Sequence, residues 1–442
     1  MSRYIINGGK PLKGEVSIRG AKNASYKQII ASLLTEDVVK LSNVPDISDV
    51  HITQSIAESL GSKIISSGSH GLEISTSKLT NSIVPHGTGD KSRTSFMFVA
   101  PLLLRTGRAT VPIPGGDKLG ARPLDRLFDC FRQMNIKIEE SADLIHFSTT
   151  GIKPTVYEFP KPSHTVTEVI IMTCALVPGE STIKNAAQEP EIDDLIEMLN
   201  SMGANIVRSP EDPKIIHITG VTSLKGTHHQ IIADRNEMVT FACAALSTKG
   251  SINILNINPK IVENFLQTIE TMGAKVSRGQ NEVSVSWIAP LKAIDITTEP
   301  EPGFMTDWQA VFSLVLTQAV GCSSVIERIY PFRFQHIAIL NQMGVKTKFF
   351  NPEITSPSEF YHFNPESDKP ENFHGVTIYG PSHLRPINIT VNDLRAGATA
   401  TIAAITAPGQ STIEGVEFIE RGYEKLAQRL ESLGADIRYI KT

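Results

Sequence analysis

Cysteine is scarce in this chain, with four in 442 residues. Cys130, Cys174, Cys243 and Cys322 stand far apart and show no metal-type spacing. A disulfide scaffold is therefore excluded, and reduced thiols of a cytoplasmic protein are the plain reading. Long hydrophobic runs are missing too. The longest, Phe96 to Leu104, falls far short of the roughly 20 apolar residues that span a bilayer, so no membrane association is expected. The opening MSRYIINGGKPLKGEV has no apolar stretch of the secretory kind, so no signal peptide is expected. Lysine and arginine form no block and the net charge is −4, which disfavours a large nucleic-acid footprint. HExxH, CxxC and Gly-x-Ser-x-Gly are absent, leaving zinc-hydrolase and serine-hydrolase readings without support. No metal site, cofactor or obligate protein partner is indicated.

What the chain does have is a globular composition, 40% hydrophobic and 20% charged, over a length that suits two large domains or about three ordinary ones. It also repeats. One short phrase reads LGSKI at Leu60, MNIKI at Met134, MGANI at Met202, MGAKV at Met272, MGVKT at Met343 and LGADI at Leu433. The spacings are 74, 68, 70, 71 and 90 residues. Each copy follows a stretch with helical periodicity, such as Asp193 to Gly203 and Tyr423 to Gly434. The glycine suits the position just past a helix end, where a positive φ is needed, and the β-branched residue after it opens a strand. A second phrase precedes each helix: PGESTIKNA from Pro178, KGSINILNI from Lys249, GCSSVIERI from Gly321 and PGQSTIEGV from Pro408. TEDVVKLSNV from Thr35 and TGRATVPIP from Thr106 are looser versions. These are turns leading into alternating strands. Six α/β units of this length fit two three-unit domains better than one solenoid. The long final spacing points to an inserted loop or long hairpin over Phe349 to Phe373.

A purely structural repeat accounts for most of the sequence, so function must lie where units break the pattern. The second unit breaks hardest, with PGGDKLGARPLD from Pro114 to Asp125. Its glycines free backbone N–H groups to face an anion, Arg122 can grip a phosphate or carboxylate, and Asp117 is a candidate acid. An ordinary flexible loop is the plainer alternative. RGAKNAS places Lys22 and Asn23 at a helix start, a position suited to anions, or simply a solvated lysine beside a cap. Asp307 in GFMTDWQA reads as a cap or as an acid. Arg395 and Arg421 are expected near helix starts, where a cation opposes the dipole, and that cost favours an anion-binding role. ADRNEM at Ala233 reads as a structural ion-pair segment. With Arg93, the candidate anion grips are Lys22, Arg93, Arg122, Arg395 and Arg421.

GAKNA at Gly20, PGGDKLGARP at Pro114, AAQEPEI at Ala186, ADRNE at Ala233, TDWQA at Thr306, DLRAGA at Asp393 and ERGYEKL at Glu420 occur in one order along nearly the whole chain. In this the chain resembles the enolpyruvyl transferases, most closely the branch with a UDP-sugar acceptor. The resemblance implies an α/β fold, a two-domain inverse α/β barrel built from six βαβαββ-type repeats, three per domain. It places residues 22–231 in one domain, with the mobile catalytic loop, and 1–21 plus 232–442 in the other. It implies transfer of the enolpyruvyl group of phosphoenolpyruvate to the 3-hydroxyl of UDP-N-acetylglucosamine, the first committed step of peptidoglycan synthesis. By the same resemblance Asp117 is the acid and Asp307 the base. Lys22, Arg122, Arg421 and Arg395 hold phosphoenolpyruvate, and Arg93 completes the positive pocket. Asn23, Asp307 and Ile329 contact the sugar. Arg122, Pro123, Leu124 and Asp125 meet the uridine, and Lys161, Ser163 and Thr165 the diphosphate.

Three features depart from that family pattern. Most members carry Cys where this chain has Asp117, which implies insensitivity to fosfomycin, an epoxide that alkylates the thiol. Thr165 stands where the family has Gly, and Phe349 to Phe373 is inserted. Two alternatives keep these departures in view: an enolpyruvyl transferase with another nucleotide or phosphorylated acceptor, and a non-catalytic UDP-sugar-binding paralogue.

Overall fold

The computed structural model describes residues 2–89, 93–113 and 124–441. The chain divides into two compact units, one within residues 20–232 and the other formed by 2–19 with 233–441. Each unit has its own buried apolar core.

Among the described residues, six sheets follow one plan. Gly179–Lys184 pairs parallel with Val156–Glu158 and antiparallel with Ile216–Gly220, which carries Asn205–Arg208 at its far edge. Val39–Ser42 repeats this with His228–Gln230, Leu72–Ser75 and Lys63–Ser66. Arg108–Pro112 has only the antiparallel strands, and its parallel neighbour is reduced to one bridge between Ile83 and Thr110. In the other unit the same plan is built on Ser251–Leu255, Gly321–Ile326 and Gly409–Glu414. There the chain start supplies two strands. Lys13–Ser17 runs parallel to Ser251–Leu255, and Arg3–Gly8 lies between Gly409–Glu414 and Asp436–Ile440.

Alternating burial along these strands turns one face to the core and one to water, as in Gly409–Glu414. Three helices in each unit are buried almost all round: Lys22–Ala31, Val99–Thr106 and His164–Cys174 in one, Arg235–Ser247, Thr306–Gln318 and Leu394–Thr406 in the other. A helix without a polar face belongs inside a core. The second helix of each repeat is amphipathic and lies under a sheet, as Pro190–Ser201 does.

The recurring phrase is the end of that amphipathic helix. Its large apolar residue, Leu60, Met134, Met202, Met272, Met343 or Leu433, is buried in every copy. The next residue takes a positive φ each time, from 94° to 115° at the five glycines and 65° at Asn135. The chain can then reverse into the following strand, because glycine and asparagine tolerate that conformation. The insertion is a long hairpin between Lys346–Phe350 and Gly375–Gly380. Tyr361, Phe363 and His374 pack together inside it, and His374 Nε2 meets Asp368 Oδ2 at 2.7 Å.

Among the described residues, no helix is long and apolar enough to cross a membrane. Among them too, no cluster of His, Cys, Asp or Glu is placed to hold a metal ion.

Candidate active site

In the unit of residues 2–19 and 233–441, two buried helices start beside one another and bring Asp307 and Arg395 together. Asp307 is in the first turn of Thr306–Gln318, and Arg395 is the second residue of Leu394–Thr406. Asp307 does not cap its helix. Its Oδ2 takes Arg395 Nη2 at 2.9 Å, and its Oδ1 pairs with Arg333. Burial pushes the Asp307 carboxyl pKa up, but the two guanidinium charges outweigh burial and hold it well below the usual carboxylate range. The arginines are correspondingly locked in their charged form.

Arg395 is held on its other side as well. Its Nη1 donates to Tyr423 Oη at 2.8 Å, and Tyr423 Oη lies 2.8 Å from Thr240 Oγ1 on the neighbouring buried helix. Arg333 rests 5.0 Å from the Tyr330 ring centroid. The loop carrying Ile329, Tyr330 and Arg333 is organised by buried Glu327. That carboxylate accepts from the Thr306 hydroxyl at 2.8 Å, the Ile329 N–H at 2.7 Å and the Tyr330 N–H at 3.1 Å. Burial raises the Glu327 pKa against the pull of Arg333 and these donors. The insertion braces the same loop. His362 N–H donates to Arg328 C=O at 2.7 Å, and Glu327 N–H donates to His374 C=O at 2.8 Å.

The sequence expectation for Arg421 needs a correction. It stands in the turn after the short helix Val416–Ile419, five residues ahead of Leu426–Ser432. The dipole argument therefore applies to Arg395 and not to Arg421, which is half-buried. Arg333, Glu327 and Tyr423 were not among the expected site residues. Arg333 carried a usable signal, since it lies two residues ahead of the helix Gln335–Gln342. ADRNE is the ion-pair segment expected of it: Arg235 pairs with Glu301, and Glu237 with Arg429.

The unit within residues 20–232 holds the other candidates. Lys22 opens the helix Lys22–Ala31 and its Nζ lies 2.8 Å from buried Asp49 Oδ2. Asn23 follows it. One turn on, buried Lys27 reaches Glu168 Oε1 at 2.5 Å and His164 Nε2 at 2.8 Å. Those two belong to the helix His164–Cys174, so Lys27 ties the Lys22–Asn23 segment to the Ser163–Thr165 segment. Ser163 precedes that helix without a side-chain capping bond, and Thr165 is its second residue. Arg126 Nη1 donates to Pro162 C=O at 3.1 Å, which joins the start of Asp125–Gln133 to the stretch from Lys161. Leu124 is buried and Asp125 exposed there. Arg93 opens a short 3-10 helix, with its guanidinium 5.9 Å from the Phe96 ring centroid. Asp117, Arg122 and Pro123 lie outside the described residues.

The thiols offer no competing nucleophile in this unit. Burial pushes Cys130 and Cys174 up, Cys174 to about 12.

The EPSP synthase (3-phosphoshikimate 1-carboxyvinyltransferase) family matches residues 6–430. The UDP-N-acetylglucosamine 1-carboxyvinyltransferase of Idiomarina loihiensis is 35% identical over 441 residues, covering 100% of both chains. UDP-N-acetylglucosamine 1-carboxyvinyltransferase 1 of Streptococcus agalactiae is 36% identical over 446 residues, again covering 100% of both. Among solved structures, the enolpyruvyl transferase NikO from Streptomyces tendae matches with a TM-score of 0.85 at 21% identity, over 100% of this chain and 99% of that one. EPSP synthase from Acinetobacter baumannii matches with a TM-score of 0.74 at 17% identity, over 100% of both. The solved structures share the fold, the curated relatives share the sequence from end to end, and the chain belongs to the EPSP synthase family of carboxyvinyltransferases.

Proposed function

We propose that this protein transfers the enolpyruvyl group of phosphoenolpyruvate to the 3-hydroxyl of UDP-N-acetylglucosamine, releasing phosphate, as a cytoplasmic enzyme of peptidoglycan synthesis. The observation that supports it most is the clamp of Asp307 between Arg333 and Arg395, in a chain whose end-to-end relatives carry that activity in their names.

The chemistry needs a proton delivered to the methylene carbon of phosphoenolpyruvate while the hydroxyl attacks the adjacent carbon. Loss of phosphate from that carbon, with loss of a proton from the new methyl group, then restores the double bond. An acid and a base in different environments are required. Asp117 is the acid in this reading and Asp307 the base. Lys22, Arg122, Arg395 and Arg421 hold the anion, with Arg93 beside them, and stabilise the charge of the tetrahedral intermediate. Asn23, Asp307 and Ile329 meet the sugar, Arg122 to Asp125 the uridine, and Lys161, Ser163 and Thr165 the diphosphate.

The clamp gives the base a reason to wait. A carboxylate gripped by two cations is a poor proton acceptor. Phosphoenolpyruvate brings its own carboxylate and phosphate, which compete with Asp307 for Arg395. Sharing Arg395 with the substrate weakens its hold on Asp307, which Arg333 still pairs, and raises the basicity of Asp307 once the anion has arrived.

A phosphate-release assay with phosphoenolpyruvate and a panel of acceptors tests this. UDP-N-acetylglucosamine should support turnover. Release with another nucleotide or phosphorylated acceptor alone would reassign the acceptor, and the Cβ of Thr165 is the first place to look. No release with any acceptor, in a chain that still binds UDP-N-acetylglucosamine, would refute a catalytic role.

A further inference from the structure

Arg395 is the hinge of the proposed site, and what holds it has a single hydrogen-bond direction. Thr240 Oγ1 lies 2.8 Å from Asn236 C=O, one turn back on its own helix, and a carbonyl can only accept. The Thr240 proton is therefore spent there, and toward Tyr423 the threonine oxygen accepts. Tyr423 must then donate its phenolic proton to Thr240 across 2.8 Å. That leaves the Tyr423 oxygen as an acceptor, and Arg395 Nη1 donates to it at 2.8 Å. Burial, the largest influence, raises the Tyr423 pKa, so the proton this chain relies on stays in place. Tyr423 and Thr240 are both buried, and the Arg395 guanidinium carbon sits 5.6 Å from the tyrosine ring centroid.

We propose that Tyr423 and Thr240 are positioning residues, forming a one-way chain from Arg395 to the Asn236 carbonyl that fixes the guanidinium. Held so, Arg395 keeps one nitrogen on Asp307 and its remaining N–H groups for the substrate anion. The inference rests on the proposed function for its kinetic meaning, though not for the chain itself. Thr240 touches no proposed substrate group, and its effect on catalysis must pass through two other side chains.

The test uses the full chain with Tyr423→Phe, Thr240→Val, the double variant and Thr240→Ser. Tyr423→Phe and Thr240→Val should each lower kcat/KM for phosphoenolpyruvate by about 10-fold or more, the scale of a hydrogen bond to a charged group. The double variant should be no worse than the poorer single one, because both break the same chain. Thr240→Ser keeps the hydroxyl and should retain wild-type kinetics. An independent readout is NMR of the ¹⁵N-labelled arginine side chains. The Arg395 Nη groups should rotate slowly in the wild type and in Thr240→Ser, and rapidly in Tyr423→Phe and Thr240→Val. Unchanged rotation in both folded variants overturns the proposal, as does additive loss in the double variant. If the wild type releases no phosphate with any acceptor, the functional reading fails and the NMR result still decides the chain.

Discussion

Replacing Arg333 by Met removes one of the two cations on Asp307 and leaves the other in place. Methionine keeps most of the unbranched length and can stay against Tyr330, whose ring lies 5.0 Å from the Arg333 guanidinium carbon. An opposite charge at hydrogen-bond distance lowers a carboxylate by about 1–3 pK units. Arg333→Met should therefore raise the Asp307 pKa by about that amount. Burial, the strongest single influence on the group, is then opposed by Arg395 alone. One pK unit corresponds to about 1.4 kcal/mol, so at neutral pH the variant should lose ~1.4–4 kcal/mol of folding stability. The sign follows from the depressed pKa. The stability that Asp307 contributes is present above its unfolded value and is lost as pH falls through its folded value. The difference between wild type and variant should therefore narrow only below the variant's own raised pKa.

Two assays read this directly. In the pH profile of kcat/KM for phosphate release, an acid limb from Asp307 should lie at higher pH in Arg333→Met than in the wild type, where the clamp holds that carboxyl well below the usual carboxylate range. A titration of ¹³C-labelled aspartate carboxyls should show Asp307 moving up by about 1–3 units. Arg333→Lys keeps the charge and should shift neither. A folded Arg333→Met protein with both the acid limb and the Asp307 titration unmoved would refute the electrostatic account of the clamp.

Lys27→Met should cost about 3–5 kcal/mol in urea unfolding, since it strands the wholly buried Glu168 without its cation, and Lys27→Met/Glu168→Leu should recover most of that. A single variant within about 1 kcal/mol of wild type would show that Lys27 is not what offsets the burial of Glu168, which His164 Nε2 also meets at 3.3 Å. Burial, with Arg333 adding to it, lowers the His336 pKa from 6.5 to about 3. Between those values the unfolded chain takes a proton that the folded one refuses. Stability should fall with falling pH by up to ~1.4 kcal/mol per unit, and His336→Asn should flatten that slope. Equal slopes would sink the reading. Fosfomycin should leave the wild-type mass unchanged in the presence of UDP-N-acetylglucosamine, because a carboxylate opens an epoxide far more slowly than a thiolate, whereas Asp117→Cys should gain one adduct. An adduct on the wild-type chain would remove Asp117 from the acid role. Asp117→Asn should lose about 10²-fold or more in kcat.

Much of the repeat was legible because it turns on positions with few chemical solutions. The residue after each amphipathic helix needs a positive φ, and only Gly and Asn occur there. The strand phrases were legible through alternation. The pairing of Arg3–Gly8 with Gly409–Glu414 was not, because hydrogen bonds between the chain's two ends leave no local pattern. The site was half legible for the same reason. Asp307 and Arg395 stood out as charges at helix starts, but nothing local says that they face each other, or that Arg333 shares the carboxylate. Tyr423 and Thr240 are 183 residues apart, and each has an ordinary core reading by itself.

The repeat also shows how the site was carved from a structural scaffold. In three units the residue after the first strand is an asparagine with positive φ: Asn43, Asn185 and Asn256. Each donates its side-chain amide to the carbonyl just past the neighbouring parallel strand, at Ile231, Phe159 and Ile18, within 2.7–2.9 Å. That staple closes the open end of the parallel pair. In the sixth unit Gly415 takes the same backbone turn, so close to the Val391 carbonyl that a Cβ would stand 2.1 Å from it. The fifth unit alone puts a carboxylate at this position. Glu327 turns inward, and its oxygens collect Thr306, Ile329 and Tyr330 in place of a staple. The parallel strand is tied instead by the Arg328 N–H, which donates to Thr298 Oγ1 at 2.9 Å. Thr306 begins the helix that carries Asp307, and the loop that Glu327 shapes ends at Arg333. One exchange at a repeated position thus links the two sides of the clamp. Glu327 is buried and its carboxylate already filled with donors, so its place is in shaping the loop.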